Sequence, residues 1–218
     1  MGISERKERE KEQRKNEIID AAEKVFFSKG IDNATMDEVA EEAELSKGTL
    51  YIYFKNKEDL HFAICRRGLT ILMENFIKVE TTEKTVLENL ISIGLNFVEF
   101  ARTHSDYFKV MSHFENKDFS SHAKENAHTE KDDVMNFLVQ LLEKGKQDGS
   151  LRNDLVPETV AHILWAQTTG VLQLMSVKNL HLHTNNTTED DLILAHFDIM
   201  ANGIRMDKSE FDLKKYFQ

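Results

Sequence analysis

A single proline, Pro157, stands in 218 residues, and nine glycines are the only other strong helix breakers. Proline inside a helix removes a backbone donor and clashes with the preceding turn, at a cost of about 3 kcal/mol. Its near-absence leaves helix open along almost the whole chain. Good helix formers (Leu, Ala, Glu, Lys) abound and apolar residues recur at three- and four-residue spacing, so the expected fold is all-α. The length accommodates one small module and one larger domain with its own core. Cys65 is the sole cysteine, which excludes an internal disulfide and fits a reducing cytoplasm. With no partner thiol in the chain it reads as a small buried apolar residue. No apolar run reaches membrane-spanning length and the N-terminus is charged, so the expectation is a soluble cytoplasmic protein without a membrane partner.

Residues 35–60 carry the most specific information. Thr35 and Glu38, three apart, can each satisfy the other's exposed backbone N–H at the start of a short helix. Val39, Ala40 and Ala43 give that helix a narrow apolar stripe. Glu44 and Leu45 then turn the chain, and Ser46 supplies the oxygen that caps a second helix. Leu50 and Phe54 point inward from the second helix, leaving Lys47, Gly48, Thr49, Tyr51 and Tyr53 outward. Two short helices at a tight turn, with a polar outer face, form a helix-turn-helix, which places its second helix in the major groove of DNA.

With the helix before it and Asn56-Lys57-Glu58-Asp59-Leu60 after it, this stretch resembles the TetR/AcrR family of one-component bacterial regulators over roughly residues 14 to 62. The run Tyr51-Ile52-Tyr53-Phe54-Lys55-Asn56-Lys57 carries most of the resemblance. One position departs: the family's usual turn is Ala-Gly-Val-Ser, and Glu44 stands where the glycine would be. A non-glycine residue at positive φ costs on the order of 1 kcal/mol. The resemblance implies an N-terminal arm and helix-turn-helix domain over 1–56, then a helical ligand-binding and dimerisation domain over 57–218. It also implies a homodimer on a palindromic operator, acting as a repressor released by a small effector. The DNA-facing set is Thr35, Ser46, Lys47, Gly48, Thr49, Tyr51, Tyr53 and Lys57. Lys47, Thr49 and Tyr51 are expected at the groove, Thr35, Tyr53 and Lys57 mainly at phosphates, and Gly48 where the backbone approaches closely.

Net charge opposes DNA binding, with 28 Lys and Arg against 38 Asp and Glu, a formal −10. The excess is uneven, because residues 1–16 carry six basic and four acidic side chains, a local +2. Lys47, Lys55 and Lys57 add to the positive footprint, while Asp37, Glu38, Glu41 and Glu42 subtract from it. A local footprint suffices for specific binding, with weak non-specific affinity as the consequence. The N-terminal run has two readings, a solvated helix extension or a DNA-contacting arm.

Further helices follow from periodicity. Residues 16–29 align Ile18, Ala22, Val25 and Phe26, and Gly30 stops them. A long helix over about 57–79 has two apolar stripes, so it can serve two cores. Thr82 to Arg102, an aromatic-rich segment after Ser105, and a segment around Val134–Leu142 ending near Gly149 are helical. Glu115–Thr129 reads as loop or frayed helix. Pro157 suits a helix first turn, with that helix reaching about Asn179. Thr187 and Thr188 with Glu189, Asp190 and Asp191 start the last major helix, and a Phe211/Leu213/Tyr216/Phe217 tail follows. That helix has one stripe of Ile193, Phe197, Met200 and Ile204 and another of Leu192, Ala195, Ile199 and Gly203. Either both stripes are interior or the second meets a symmetric partner.

A ligand pocket is implied by the family and only weakly by the residues. Its candidate lining is Cys65, Leu69, Met73, Gly94, Phe97, Phe108, Met111, Trp165 and Thr169, a mostly apolar set that is equally the composition of a filled core. Polar residues in apolar surroundings (His113, His162, Gln167, Thr168, Thr169, Gln173) are the better markers of a ligand. His181 and His183, with His196 later, are too sparse for a metal centre, and no cofactor is expected. Catalysis has no support, since phosphate-cradling glycine loop, zinc-protease helix and nucleophile elbow are all missing. The functional expectation is a DNA-binding regulator, with an effector-independent architectural or partner-binding protein as the alternative.

Overall fold

The computed structural model describes residues 2–115, 130–176 and 188–206. The 116–129 stretch, the histidines at 181 and 183, the end of the helix near Asn179 and the Phe211–Phe217 tail lie outside the described residues, as do the side chains of His113 and Phe114. Nine helices occur among the described residues: α1 (Ile3–Lys29), α2 (Met36–Glu42), α3 (Lys47–Tyr53), α4 (Lys57–Val79), α5 (Val86–Thr103), α6 (Ser105–Glu115), α7 (Glu130–Gln147), α8 (Pro157–Ser176) and α9 (Glu189–Ile204). None is long and apolar enough to cross a membrane. The chain divides into two compact units, Met1–Gly68 with Asp106–Ser121, and Leu69–Ser105 with His122–Gln218. The division falls within α4 and assigns α6 to the first unit.

In the first unit, Ile18, Ala22, Val25 and Phe26 of α1 are buried with Val39 and Ala40 of α2, Leu50 of α3 and Leu60 and Ile64 of α4. Helix α1 starts thirteen residues earlier than periodicity indicates, at Ile3. Its added turns bury nothing and hold their form through neighbouring side chains, as in the Arg6–Glu10 ion pair at 2.8 Å, a contact worth a few tenths of a kcal/mol. At the other end Gly30 takes φ +75° and stops the helix. Helix α6 lies close against α4: a Cβ on Gly68 would sit 3.0 Å from Met111 Sδ and 3.1 Å from Tyr107 Cδ1.

A polar cluster ties three helices of this unit. Arg67 of α4 donates to Asp20 at 2.6 Å and reaches Glu23 at 2.9 Å, both on α1. The Tyr107 hydroxyl of α6 donates to Glu23 at 2.7 Å. Burial first, and then the hydrogen bond to the Glu23 carboxylate, push the Tyr107 hydroxyl up to about 12.

In the second unit, α5 begins at Val86 rather than at Thr82. Thr85 accepts a hydrogen bond from Glu88 N–H at 3.2 Å while the Glu88 carboxylate accepts from Thr85 N–H at 3.0 Å, so the cap sits later than expected. Buried Asn89 pins the preceding loop by bonding Thr81 at both N–H and C=O (3.1 and 2.8 Å). Thr188 caps α9 in the same reciprocal manner with Asp191. Aromatic rings organise the core: Phe97 stacks on Trp165 at 5.0 Å, and Phe76 meets Phe97 edge-on at 6.4 Å. The loop after α7 is clipped to the end of α9, where Leu151 and Arg205 form an isolated antiparallel bridge and the Arg152 guanidinium donates to Gly203 O at 2.9 Å.

Candidate nucleic-acid interface

The turn between α2 and α3 is a left-handed helix stop. Leu45 N–H donates to Ala40 O at 2.9 Å and Glu44 N–H to Glu41 O at 3.0 Å, the paired bonds of a Schellman ending. Glu44 occupies the left-handed position at φ +55°, the sole positive-φ residue other than glycine among the described residues. Glu44 thus takes up the left-handed position where the family's usual turn has glycine, at the cost of local strain.

Capping groups on both helices are engaged. Thr35 accepts from Glu38 N–H at 3.3 Å and its own N–H donates to the Glu38 carboxylate at 3.0 Å. Ser46 accepts from Thr49 N–H at 3.1 Å, and the two hydroxyls share a hydrogen bond of 2.8 Å. Asn56 caps α4 by accepting from Asp59 N–H at 2.8 Å, while Asp59 accepts from Lys55 N–H at the same distance.

Around α3, Leu50 is fully buried and Phe54 nearly so, which orients the remaining residues. Lys47, Gly48 and Tyr51 are exposed, whereas Thr49 and Tyr53 are half-buried. A Cβ on Gly48 would meet nothing closer than Ser46 Oγ at 3.9 Å, so the free protein has room for a side chain there. Ile52, absent from the sequence-derived set, is 79% exposed, although isoleucine is a residue type that sequence alone places in the core.

Two of the expected DNA-facing lysines have partners within the protein. Lys47 Nζ bonds the Asp37 carboxylate at 2.5 Å. Lys57 Nζ donates to Asp32 O at 3.1 Å and Ala34 O at 3.0 Å, so it ties the α1–α2 loop to the start of α4. The acidic face of α2 is largely matched: besides Asp37, Glu38 pairs with Lys29 at 2.6 Å and Glu42 with Lys24 at 2.8 Å. The N-terminal turns of α1 are helical and solvated.

The proposed ligand residues divide between the units: Cys65, Phe108 and Met111 belong to the first, and Leu69, Met73, Gly94, Phe97, Trp165 and Thr169 to the second. The second unit holds a cavity of about 30 Å³ whose walls include Gly94, Phe97 and Trp165 with Phe76, Leu164, Phe197 and Met200, and Thr168 as the polar group. Thr168 donates to Leu164 O at 2.8 Å and shares a 3.0 Å bond with His196 Nε2, and burial lowers the His196 pKa below its usual 6.5. Thr169 is buried with its hydroxyl unpartnered. His162 and Gln167, expected in apolar surroundings, are exposed on the outer side of α8. Periodicity could not separate the two sides of a helix that is apolar on more than one. Gly94 is a site of close packing, since a Cβ there would lie 2.7 Å from Phe197 Cζ.

On α9, Ile193, Phe197, Met200 and Ile204 are all buried. Ala195, Ile199 and Gly203 face outward, with Ile199 68% exposed, and Leu192 is half-buried. Ile163 and Leu174 on α8 are exposed likewise.

Residues 18–64 match the sequence model described as "Bacterial regulatory proteins, tetR family". The chain is 30% identical over 155 residues, 69% of its own length and 78% of the relative's, to an uncharacterised HTH-type transcriptional regulator, YhgD, of Bacillus subtilis (strain 168). It is 28% identical over 142 residues, 64% of this chain and 71% of the relative, to the fatty acid metabolism regulator protein of the same organism. Among solved structures, the fatty acid degradation regulator FadR from Bacillus halodurans aligns with a TM-score of 0.67 at 18% identity, covering 87% of this chain and 95% of that one. At that identity the likeness speaks to the fold.

Proposed function

Because the chain belongs to the tetR family of bacterial regulatory proteins and is a DNA-binding transcriptional regulator, we propose that it is a repressor released from its operator by a small, largely apolar effector. The observation that carries the DNA-reading half is α3 itself, anchored by buried Leu50 and Phe54 and presenting Lys47, Gly48 and Tyr51 to solvent. The effector half is supported by the aromatic cavity of the second unit, where Thr168 is the polar group among apolar walls. At about 30 Å³ that cavity holds no more than a water or two, so an effector enters by displacing side chains. A ligand acts through its difference in affinity between two conformations, and a typical coupling of about 1–3 kcal/mol weakens DNA binding roughly 5- to 150-fold.

The outward stripe of α9 supports a homodimer, with Ala195, Ile199 and Gly203 beside Ile163 and Leu174 of α8. A two-fold axis there gives a palindromic operator, whose half-sites lie about 34–36 Å apart or a multiple of it. The smallness of the cavity favours a second reading, an effector-independent DNA-binding or partner-binding protein. Calorimetric titration of fatty acids into free and operator-bound protein separates the two. Weaker probe binding to the operator complex supports the repressor reading, and equal affinities overturn it.

A further inference from the structure

Among the described residues of the first unit, the exposed large apolar side chains are Tyr51, at 48%, and Ile52, at 79%, adjacent on α3. A single exposed apolar residue is ordinary on a protein surface; its place on the helix gives this one meaning. At about 100° per residue, Gly48 and Ile52 each lie about 200° round from Leu50, which is fully buried. They therefore line the meridian that points farthest from the hydrophobic core. Thr49 and Tyr53 sit to one side, half-buried, with the Thr49 hydroxyl already bonded to Ser46.

We propose that Ile52 is a specificity-determining residue that reads the C5-methyl group of a thymine in the major groove. This rests on the DNA-binding reading of α3. In the major groove thymine is the base that presents a methyl group, and an aliphatic side chain is its apolar complement. Ile52 has no donor or acceptor to compete for base edges. Gly48, one helical turn earlier and without a side chain, leaves the backbone free to approach so that a side chain as short as isoleucine reaches the base pairs. Lys47, paired with Asp37 at the start of α3, and Lys55, two residues past its end, are exposed, and these cations favour a polyanion over an apolar protein partner on this face.

The test begins with duplexes selected by the protein from a random library. Each thymine in the recovered site is replaced in turn by deoxyuridine, which keeps every hydrogen-bonding group and removes only the methyl. At one thymine per half-site the unmodified protein is expected to lose about 4-fold in affinity, the worth of one buried methyl-sized group. Ile52→Ala should bind the parent site that much more weakly and be insensitive to deoxyuridine there, with its thermal midpoint unchanged because the side chain is exposed. Replacing that thymine by 5-methylcytosine should retain more affinity than replacing it by cytosine. A selected site at which no deoxyuridine matters, or at which both proteins lose equally, overturns the assignment while leaving DNA binding standing. Recovery of no preferred sequence overturns the DNA-reading role of α3 and this assignment together.

Discussion

Asp37 holds the Lys47 ammonium in the free protein, so if Lys47 meets DNA as proposed, it must first leave a carboxylate on the same surface. An exposed pair of this kind contributes about 0–1 kcal/mol, little enough for a phosphate or base edge to replace it. Asp37→Asn should therefore leave the melting temperature nearly unchanged and raise operator affinity about 2- to 5-fold at moderate salt, read by fluorescence anisotropy. Loss of affinity would mean that Asp37 positions Lys47 for the groove. Gly48 gives a sharper separation of stability from function. Glycine within a helix costs about 0.5–1 kcal/mol relative to alanine, and the free protein has space for the added methyl. Gly48→Ala should therefore stabilise the protein by about that amount while weakening operator binding. Both changes moving in the same direction would remove the close-approach role. Glu44, at φ +55°, is strained and exposed. Glu44→Gly should raise the denaturation midpoint and Glu44→Val lower it.

At the scale of elements, the cluster that joins α1, α4 and α6 depends on the Tyr107 proton. The hydroxyl's folded value, about 12, lies above its ordinary 10, so this contribution to stability is intact below pH 10. It should fade as pH rises from about 10 to about 12, because the unfolded chain gives up the proton first. Tyr107→Phe should cost about 1 kcal/mol at neutral pH and flatten that stretch of the stability–pH curve, measured by chemical denaturation. In the other unit, Gly94→Ala should destabilise by about 1–3 kcal/mol through the Phe197 ring. Helix types were legible in the sequence because Leu50, Phe54 and the stripe of Ile193, Phe197, Met200 and Ile204 follow helical period, and Thr35 and Ser46 mark starts by their chemistry. The start of α5 was less so, since Thr82 and Thr85 are equally plausible caps until Glu88 chooses between them. The surface of α8 was illegible for a different reason: period fixes spacing, not which apolar side is covered, and His162 and Gln167 fell on the open one. The exposure of Ile52 was illegible as well, since isoleucine is among the residue types most often buried.

For the whole molecule, the proposed dimer rests on the outward stripe of α9, where Ala195, Ile199 and Gly203 are exposed. If the stripe of Ala195, Ile199 and Gly203 closes on its own copy, Ile199→Glu buries unpaired carboxylates, with a penalty of several kcal/mol per ion. The expected product is a folded monomer by light scattering with little affinity for a full palindromic site; a variant that remains dimeric and binds tightly excludes this interface. The long α1 has a consequence of its own. Residues 4–14 are solvated, whereas Ile18 is fully buried, so more than two turns of helix stand without tertiary support. Isolated helices of this length are marginal in water, and this arm is therefore expected to spend part of its time unwound. Its amides should exchange with deuterium rapidly while those from Ile18 to Phe26 remain shielded. Should phosphates grip the arm's arginines and lysines, that loose end must be wound up at the moment of contact, with an ordering cost of about 1–2 kcal/mol per newly fixed residue. The protein would then meet its operator as a partly molten spring rather than a rigid peg, and slowed exchange at residues 4–14 on adding operator would reveal the winding.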